Sequence, residues 1–211
     1  MKIVILDGYT ENPGDLTHQR DEYNFISNAA FAAVAGSDTS TAPSTGYTDV
    51  AASAWYADAV STVTELGLMN GTTATAFSPD AATTRGMLVT ILARYDGTDT
   101  SAGSVWYEAG ADWAVENGVS DGTNMNGALT REQLVTMLWR YAGSPEAGDL
   151  SGYPDSASVS SWAADAMAWA VENGLITGTG TGALSPQGSA SRAQLATILV
   201  RAGALLSAQQ A

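Results

Sequence analysis

The sequence predicts an all-α protein with pseudo-threefold symmetry. A first pattern occurs three times, at 53–71, 104–122 and 160–178. A second pattern follows each copy, at 83–95, 129–141 and 190–202. Within the second pattern, apolar residues recur at helical spacing and form one stripe per copy.

The first pattern is anchored by Trp55, Trp106 and Trp162, with Glu65, Glu116 and Glu172 ten residues on. Gly67, Gly118 and Gly174 follow at twelve, and Gly71, Gly122 and Gly178 at sixteen. Each copy reads as a helix that opens near its tryptophan and stops at the first glycine, where a left-handed cap suits glycine. The second glycine suits a tight turn, or a ligand's approach to backbone.

The second helix of each copy opens at Thr84, Thr130 or Ser191, all good N-caps. Gln133 and Gln194 stand three residues later and complete capping boxes; Met87 in the first copy does not. The stripes are Leu88, Ile91, Leu92 and Tyr95; Leu134, Met137, Leu138 and Tyr141; Leu195, Ile198, Leu199 and Ala202. One helix pair is too small to bury its own apolar face, so three second helices should converge into a central three-helix bundle. The Trp-to-Arg distances are 30, 25 and 30 residues, which places a five-residue deletion in the middle loop.

Of the 8 basic residues in the 211-residue chain, six occupy two repeat positions. Arg94, Arg140 and Arg201 sit in the last helical turn, where a cation complements the dipole and a surface ion pair is expected. Arg85, Arg131 and Arg192 sit in the first turn, where the dipole disfavours them. Two readings stand for this second set: ion pairs with a neighbouring repeat, or guanidinium groups that join exposed helix N–H groups in an anion site.

Composition excludes several functions. A net charge of −14 argues against nucleic acid and against adsorption to anionic lipid. Absence of cysteine excludes disulfides and thiol chemistry, and a single His18 gives no zinc cluster. No apolar run is long enough to span a membrane. No nucleophile–base pair or paired catalytic carboxylates recur near a pocket, so a non-enzyme without cofactors or metal is expected. The "GTGTGA" run at 178–183 follows a helix rather than a strand, which removes it as a phosphate loop. "DGTNMNG" at 121–127 places Gly122 where a calcium loop needs Asp.

The N-terminus is different in kind. "MKIVILDGYTENPGDL" reads as a short strand and resembles the start of D-2-hydroxyacid dehydrogenases over about sixteen residues. The βαβ continuation and phosphate loop that a dinucleotide fold needs do not follow. No intact signal peptide is visible from Met1, although "NAAFAAVAG" at 28–36 looks like the end of one. Residues 36–46 read as a flexible linker.

The segments "TDVAASAWYADAV" (48–60), "FSPDAATTRGM" (77–87), "LTREQLV" (129–135) and "LSPQGSASRAQLA" (184–196) resemble the S-layer homology domain, a bacterial cell-surface anchoring module. The resemblance implies repeats at 47–95, 96–142 and 143–203, after an atypical segment and linker at 1–46 and before a tail at 204–211. It implies an extracellular, cell-wall location and binding, through inter-repeat grooves, of a secondary cell-wall polysaccharide, in several bacteria ending in a pyruvate ketal. The family's ligand-binding arginine maps onto Arg85, Arg131 and Arg192. Gly86–Met87 and Ala193–Gln194 depart from the family's Ala–Glu, and Ser191 from its Thr.

Further glycan-binding candidates are Trp55, Trp106 and Trp162, Asp49, Asp99 and Asp155, and Gly71, Gly122 and Gly178. For the tryptophans, core packing is the competing expectation; for the aspartates, helix capping. Trp113 and Trp169 are expected in the core. The rival function is a structural protein–protein scaffold without glycan binding. Solvent-open arginines favour the glycan; arginines held in buried ion pairs favour the scaffold.

Overall fold

A computed structural model describes residues 46–209. The strand-like start, the dehydrogenase-like opening, the leader-like segment and the linker before Gly46 lie outside the described residues. Six α-helices follow in order: α1 (Ala57–Glu65), α2 (Arg85–Tyr95), α3 (Glu108–Glu116), α4 (Arg131–Tyr141), α5 (Ala164–Glu172) and α6 (Arg192–Gln209). Two short 3₁₀ turns, Ser156–Ser158 and Ser161–Ala163, precede α5. The all-α expectation holds, and α6 continues through residues expected to form a tail.

The predicted caps form. Thr84 and Thr130 accept the amides of Met87 and Gln133. Capping boxes close at Thr130 with Gln133 and at Ser191 with Gln194. The first helices end as their glycines require: Gly67, Gly118 and Gly174 have φ of 68°, 67° and 66°. The next amide then reaches back five residues, from Leu68 to Val63, Val119 to Ala114 and Leu175 to Ala170. This paired-bond ending satisfies carbonyls that a helix otherwise leaves open.

Packing exchanges helices between repeats. Helix α3 lies against α2, α5 against α4, and α1 against α6. Each first helix thus covers the second helix of the preceding repeat, and α1 closes the cycle. The twelve stripe residues face inward, with Leu88, Leu134 and Leu195 fully buried. Leu92, Leu138 and Leu199 line one small apolar cavity with Leu206, where the second helices converge. Trp113 and Trp169 are buried, as expected.

A backbone ring locks the opposite end. The Leu129 amide donates to the Thr83 carbonyl at 2.9 Å, the Ala190 amide to Leu129 at 2.8 Å, and the Thr83 amide to Ala190 at 3.0 Å. All three residues precede an N-cap and have no exposed surface. Three isolated antiparallel bridges flank the ring, joining Ala82 to Ser191, Thr84 to Ala128 and Thr130 to Ser189. Every repeat therefore holds both others.

Candidate binding grooves between repeats

The second helices do not present open N–H groups. The amides of Arg85 and Gly86 donate to Gly127 and Met125; those of Arg131 and Glu132 to Gly188 and Pro186; those of Arg192 and Ala193 to Ala81 and Pro79. The third amide of each goes to its cap. This corrects the expectation that exposed helix amides would join the arginines in an anion site. Loops of the neighbouring repeat already use those donors.

The first-turn arginines also reach the neighbouring repeat's loop. Nε of Arg131 donates to the Leu184 carbonyl at 2.8 Å, and Nε of Arg192 to the Phe77 carbonyl at 2.7 Å. Arg192 further donates through Nη2 to the Asn70 carbonyl at 2.6 Å and lies 4.5 Å from the Phe77 ring centroid. Both arginines are buried, which pushes their guanidinium pKa down; Asp155 acts against this at Arg131, and Tyr47 and Asp49 do so at Arg192.

Arg85 differs. Its loop is the shortened one, which has no equivalent of the Phe77 or Leu184 carbonyl. It pairs instead with Asp121 at 2.6 Å and with Ser120 Oγ at 3.0 Å, while its buried Nε has no partner among the described residues.

The aspartates hold loops rather than helices. Asp49 accepts the amides of Phe77 and Ser78 at 2.8 and 2.7 Å. Asp155 accepts those of Leu184 and Ser185 at 2.8 and 2.7 Å. Both serines have positive φ, a costly conformation that the carboxylates stabilise. The helix-capping expectation is corrected here. Asp99, whose loop is shortened, holds no such loop and bonds the nearby Ser101 through its amide and side chain.

Trp55, Trp106 and Trp162 are 66%, 53% and 52% exposed, so the core-packing expectation fails for them. Gly122 and Gly178 take φ of 73° and 87°, consistent with turns. A Cβ on Gly71 would come within 2.7 Å of the Ala76 carbonyl and 2.5 Å of both the Thr73 carbonyl and the Tyr47 ring.

These pieces meet in grooves built from three repeats each. One, of about 340 Å³, has Arg131 from the second repeat, the Leu175–Gly180 segment and the Gln194, Thr197 and Arg201 face of α6 from the third, and Trp55 from the first. A smaller groove of about 160 Å³ repeats the plan with Arg192, Leu68–Asn70, Met87 and Arg94 of α2, and Trp106. A first-turn arginine and a last-turn arginine therefore share a groove although they face opposite sides of any one helix. They come from different helices.

The last-turn arginines were expected in surface ion pairs. Instead, Arg201 donates to the Leu175 carbonyl at 3.1 Å, Arg140 to Val119 at 3.4 Å and Arg94 to Thr100 Oγ1 at 2.8 Å. Sequence reasoning also missed Glu132. It is buried and accepts from the Ser160 amide and hydroxyl and from the Gln187 side chain. Its counterparts are Gly86 and Ala193, so repeat comparison carried no signal for it. Gly86 has its own reason: a Cβ there would sit 3.2 Å from the Trp106 ring.

The S-layer homology domain model matches residues 46–86 and 152–196. These two stretches are S-layer homology domains. Between them lie the repeat with the shortened loop and its pair of helices, α3 and α4. Exoglucanase XynX of Acetivibrio thermocellus is 26% identical over 164 residues, which cover 69% of this chain and 15% of that protein. An endoglucanase of Bacillus sp. (strain KSM-635) is 29% identical over 171 residues, 72% of this chain and 18% of that protein. The Surface-layer 125 kDa protein of Lysinibacillus sphaericus is 27% identical over 195 residues, 84% of this chain and 16% of that protein. The chain thus spans less than a fifth of the length of each of these relatives. No helix among the described residues is long and apolar enough to cross a membrane.

Proposed function

We propose that this chain is a non-catalytic anchoring module that holds a bacterial cell surface by binding a cell-wall polysaccharide in its inter-repeat grooves. The observation that carries the reading is the Arg131 groove. Arg131 is fixed through Nε to the Leu184 carbonyl, while its two terminal nitrogens have no hydrogen-bond partner among the described residues. The groove it lines is walled by polar Gln194, Thr197 and Thr179 and rimmed by the exposed Trp55 ring. A preorganised guanidinium suits a carboxylate, such as a pyruvate ketal on a sugar, and a tryptophan face suits the sugar ring. Held this way, each charge-assisted hydrogen bond contributes about 1.5–3 kcal/mol. The net charge of −14 is compatible with this, because charges beyond about 8 Å are screened at physiological salt.

The likeness to a surface-layer protein supports the location, and the large glucan-degrading relatives support a module that serves attached domains. The test is co-sedimentation of the full chain with bacterial wall sacculi, before and after extraction of the secondary polymer. Binding lost on extraction, and weakened about tenfold or more by Arg131→Ala, is the expected result. A folded chain that ignores intact sacculi from several wall types would leave a protein–protein scaffold.

A further inference from the structure

The three first-turn arginines occupy the same repeat position, yet their donors are committed differently. Arg192 and Arg85 bond the residue just before a repeat glycine, Asn70 or Asp121, and Thr177 holds that position in the groove lined by Arg131. Arg192 spends Nη2 on the Asn70 backbone carbonyl. Arg85 spends Nη2 on the Asp121 carboxylate at 2.6 Å. Arg131 has neither terminal nitrogen committed among the described residues, and Thr177 opposite it lines the open groove. A carboxylate docks best on a guanidinium edge through two nitrogens at once.

We infer that Asp121 acts as a built-in carboxylate that occupies the Arg85 guanidinium, so that a carboxylate-bearing glycan is taken at the Arg131 groove. The inference rests on the function proposed above and adds which site is used and what disables another. Asp121 is well prepared for the role. Its Oδ1 also accepts the amide and hydroxyl of Thr123, both at 3.0 Å, so the carboxylate is held in place before it meets Arg85. The Thr123 amide holds the carboxyl below its ordinary pKa, against a rise from burial, with Arg85 contributing in the same direction. An exposed ion pair is weak on its own. It suffices here because an incoming carboxylate must displace an intramolecular one that needs no ordering. The shortened loop completes the change: without the carbonyl that receives Arg131 or Arg192, Nε of Arg85 stays buried with no partner among the described residues.

The experiment is a ¹⁵N-amide NMR titration of the full chain with a methyl hexoside carrying a pyruvate ketal, and with the same hexoside lacking it. In the wild type, the amides of Thr177–Gly180 should shift with the ketal while those of Ser120–Thr123 stay put. Asp121→Asn keeps an acceptor for the Thr123 amide but removes the charge, and should add a second set of shifts at Ser120–Thr123. Arg131→Ala should weaken the Thr177–Gly180 response about tenfold or more. The wild-type shift map locates the site even if that variant folds poorly. Shifts at Ser120–Thr123 in the wild type, or no gain in Asp121→Asn, would overturn the inference. No ketal-dependent shift anywhere would overturn it as well; sacculus binding by the same sample would then show that anchoring stands without a carboxylate contact.

Discussion

Leu129 donates its backbone amide to the carbonyl of Thr83, and that bond is one side of a closed ring joining all three repeats. The ring couples the repeats directly, without relying on side-chain packing. Thr83 adds a second bond, from Oγ1 to the Ala190 carbonyl at 2.8 Å, and is fully buried.

Thr83→Val should therefore remove one buried hydrogen bond while keeping volume, and lower stability by about 1 kcal/mol. Leu129→Pro deletes a ring donor outright and should cost about 3 kcal/mol or more. Urea denaturation read by tryptophan fluorescence checks both. If Leu129→Pro were no worse than Thr83→Val, the ring would not be what joins the repeats.

The twist of the fold was legible only in part. Caps, glycine stops and apolar stripes depend on residues close in sequence, so the sequence displayed them. The exchange of first helices depends on which repeat each helix covers, and repeat copies look alike from either partner. Grooves between repeats were expected from the family resemblance, but which residues share one was hidden for the same reason, since Arg131, Arg201 and Trp55 belong to three repeats. The loop clamps of Asp49 and Asp155 reach amides 28 to 30 residues away, where no local periodicity points.

Those clamps predict a pH dependence. The Phe77 amide, with help from that of Ser78, holds the Asp49 carboxyl below its ordinary 3.8. Burial alone would raise Asp155, but the amides of Leu184 and Ser185 and the charge of Arg131 outweigh it and leave that carboxyl below 3.8 too. A carboxyl whose folded pKa is depressed stabilises fully above its unfolded value and loses that contribution as pH falls through the folded one. Stability should decline as pH drops below 3.8, with a shallower decline in the double variant Asp49→Asn, Asp155→Asn. Unfolding midpoints between about pH 5 and pH 2 measure this, and equal slopes in both proteins would remove the clamps as the cause.

Gly110 offers a test of helix contact against helix propensity. On propensity alone, alanine inside α3 should gain about 1 kcal/mol over glycine. In the fold, a Cβ at Gly110 would lie 2.7 Å from the Thr90 Cα and 2.9 Å from its amide nitrogen, both rigid backbone of α2. Gly110→Ala should instead destabilise by about 1–3 kcal/mol through overpacking. A stabilised variant would show that α3 and α2 do not approach this closely.

The tryptophans separate binding from folding. Trp169 is 2% exposed within α5, and Trp169→Ala should cost about 3–5 kcal/mol. Trp55 is 66% exposed at the rim of the Arg131 groove, where its truncation removes little packing. Trp55→Ala should change stability by no more than about 0.5 kcal/mol. Sacculus binding should nevertheless fall several-fold, because the sugar face loses its stacking surface. Thermal unfolding and co-sedimentation on the same preparations give both numbers. A stable Trp55→Ala protein that binds sacculi like the wild type would take the tryptophan out of the groove's function and leave the arginine as its recognition element.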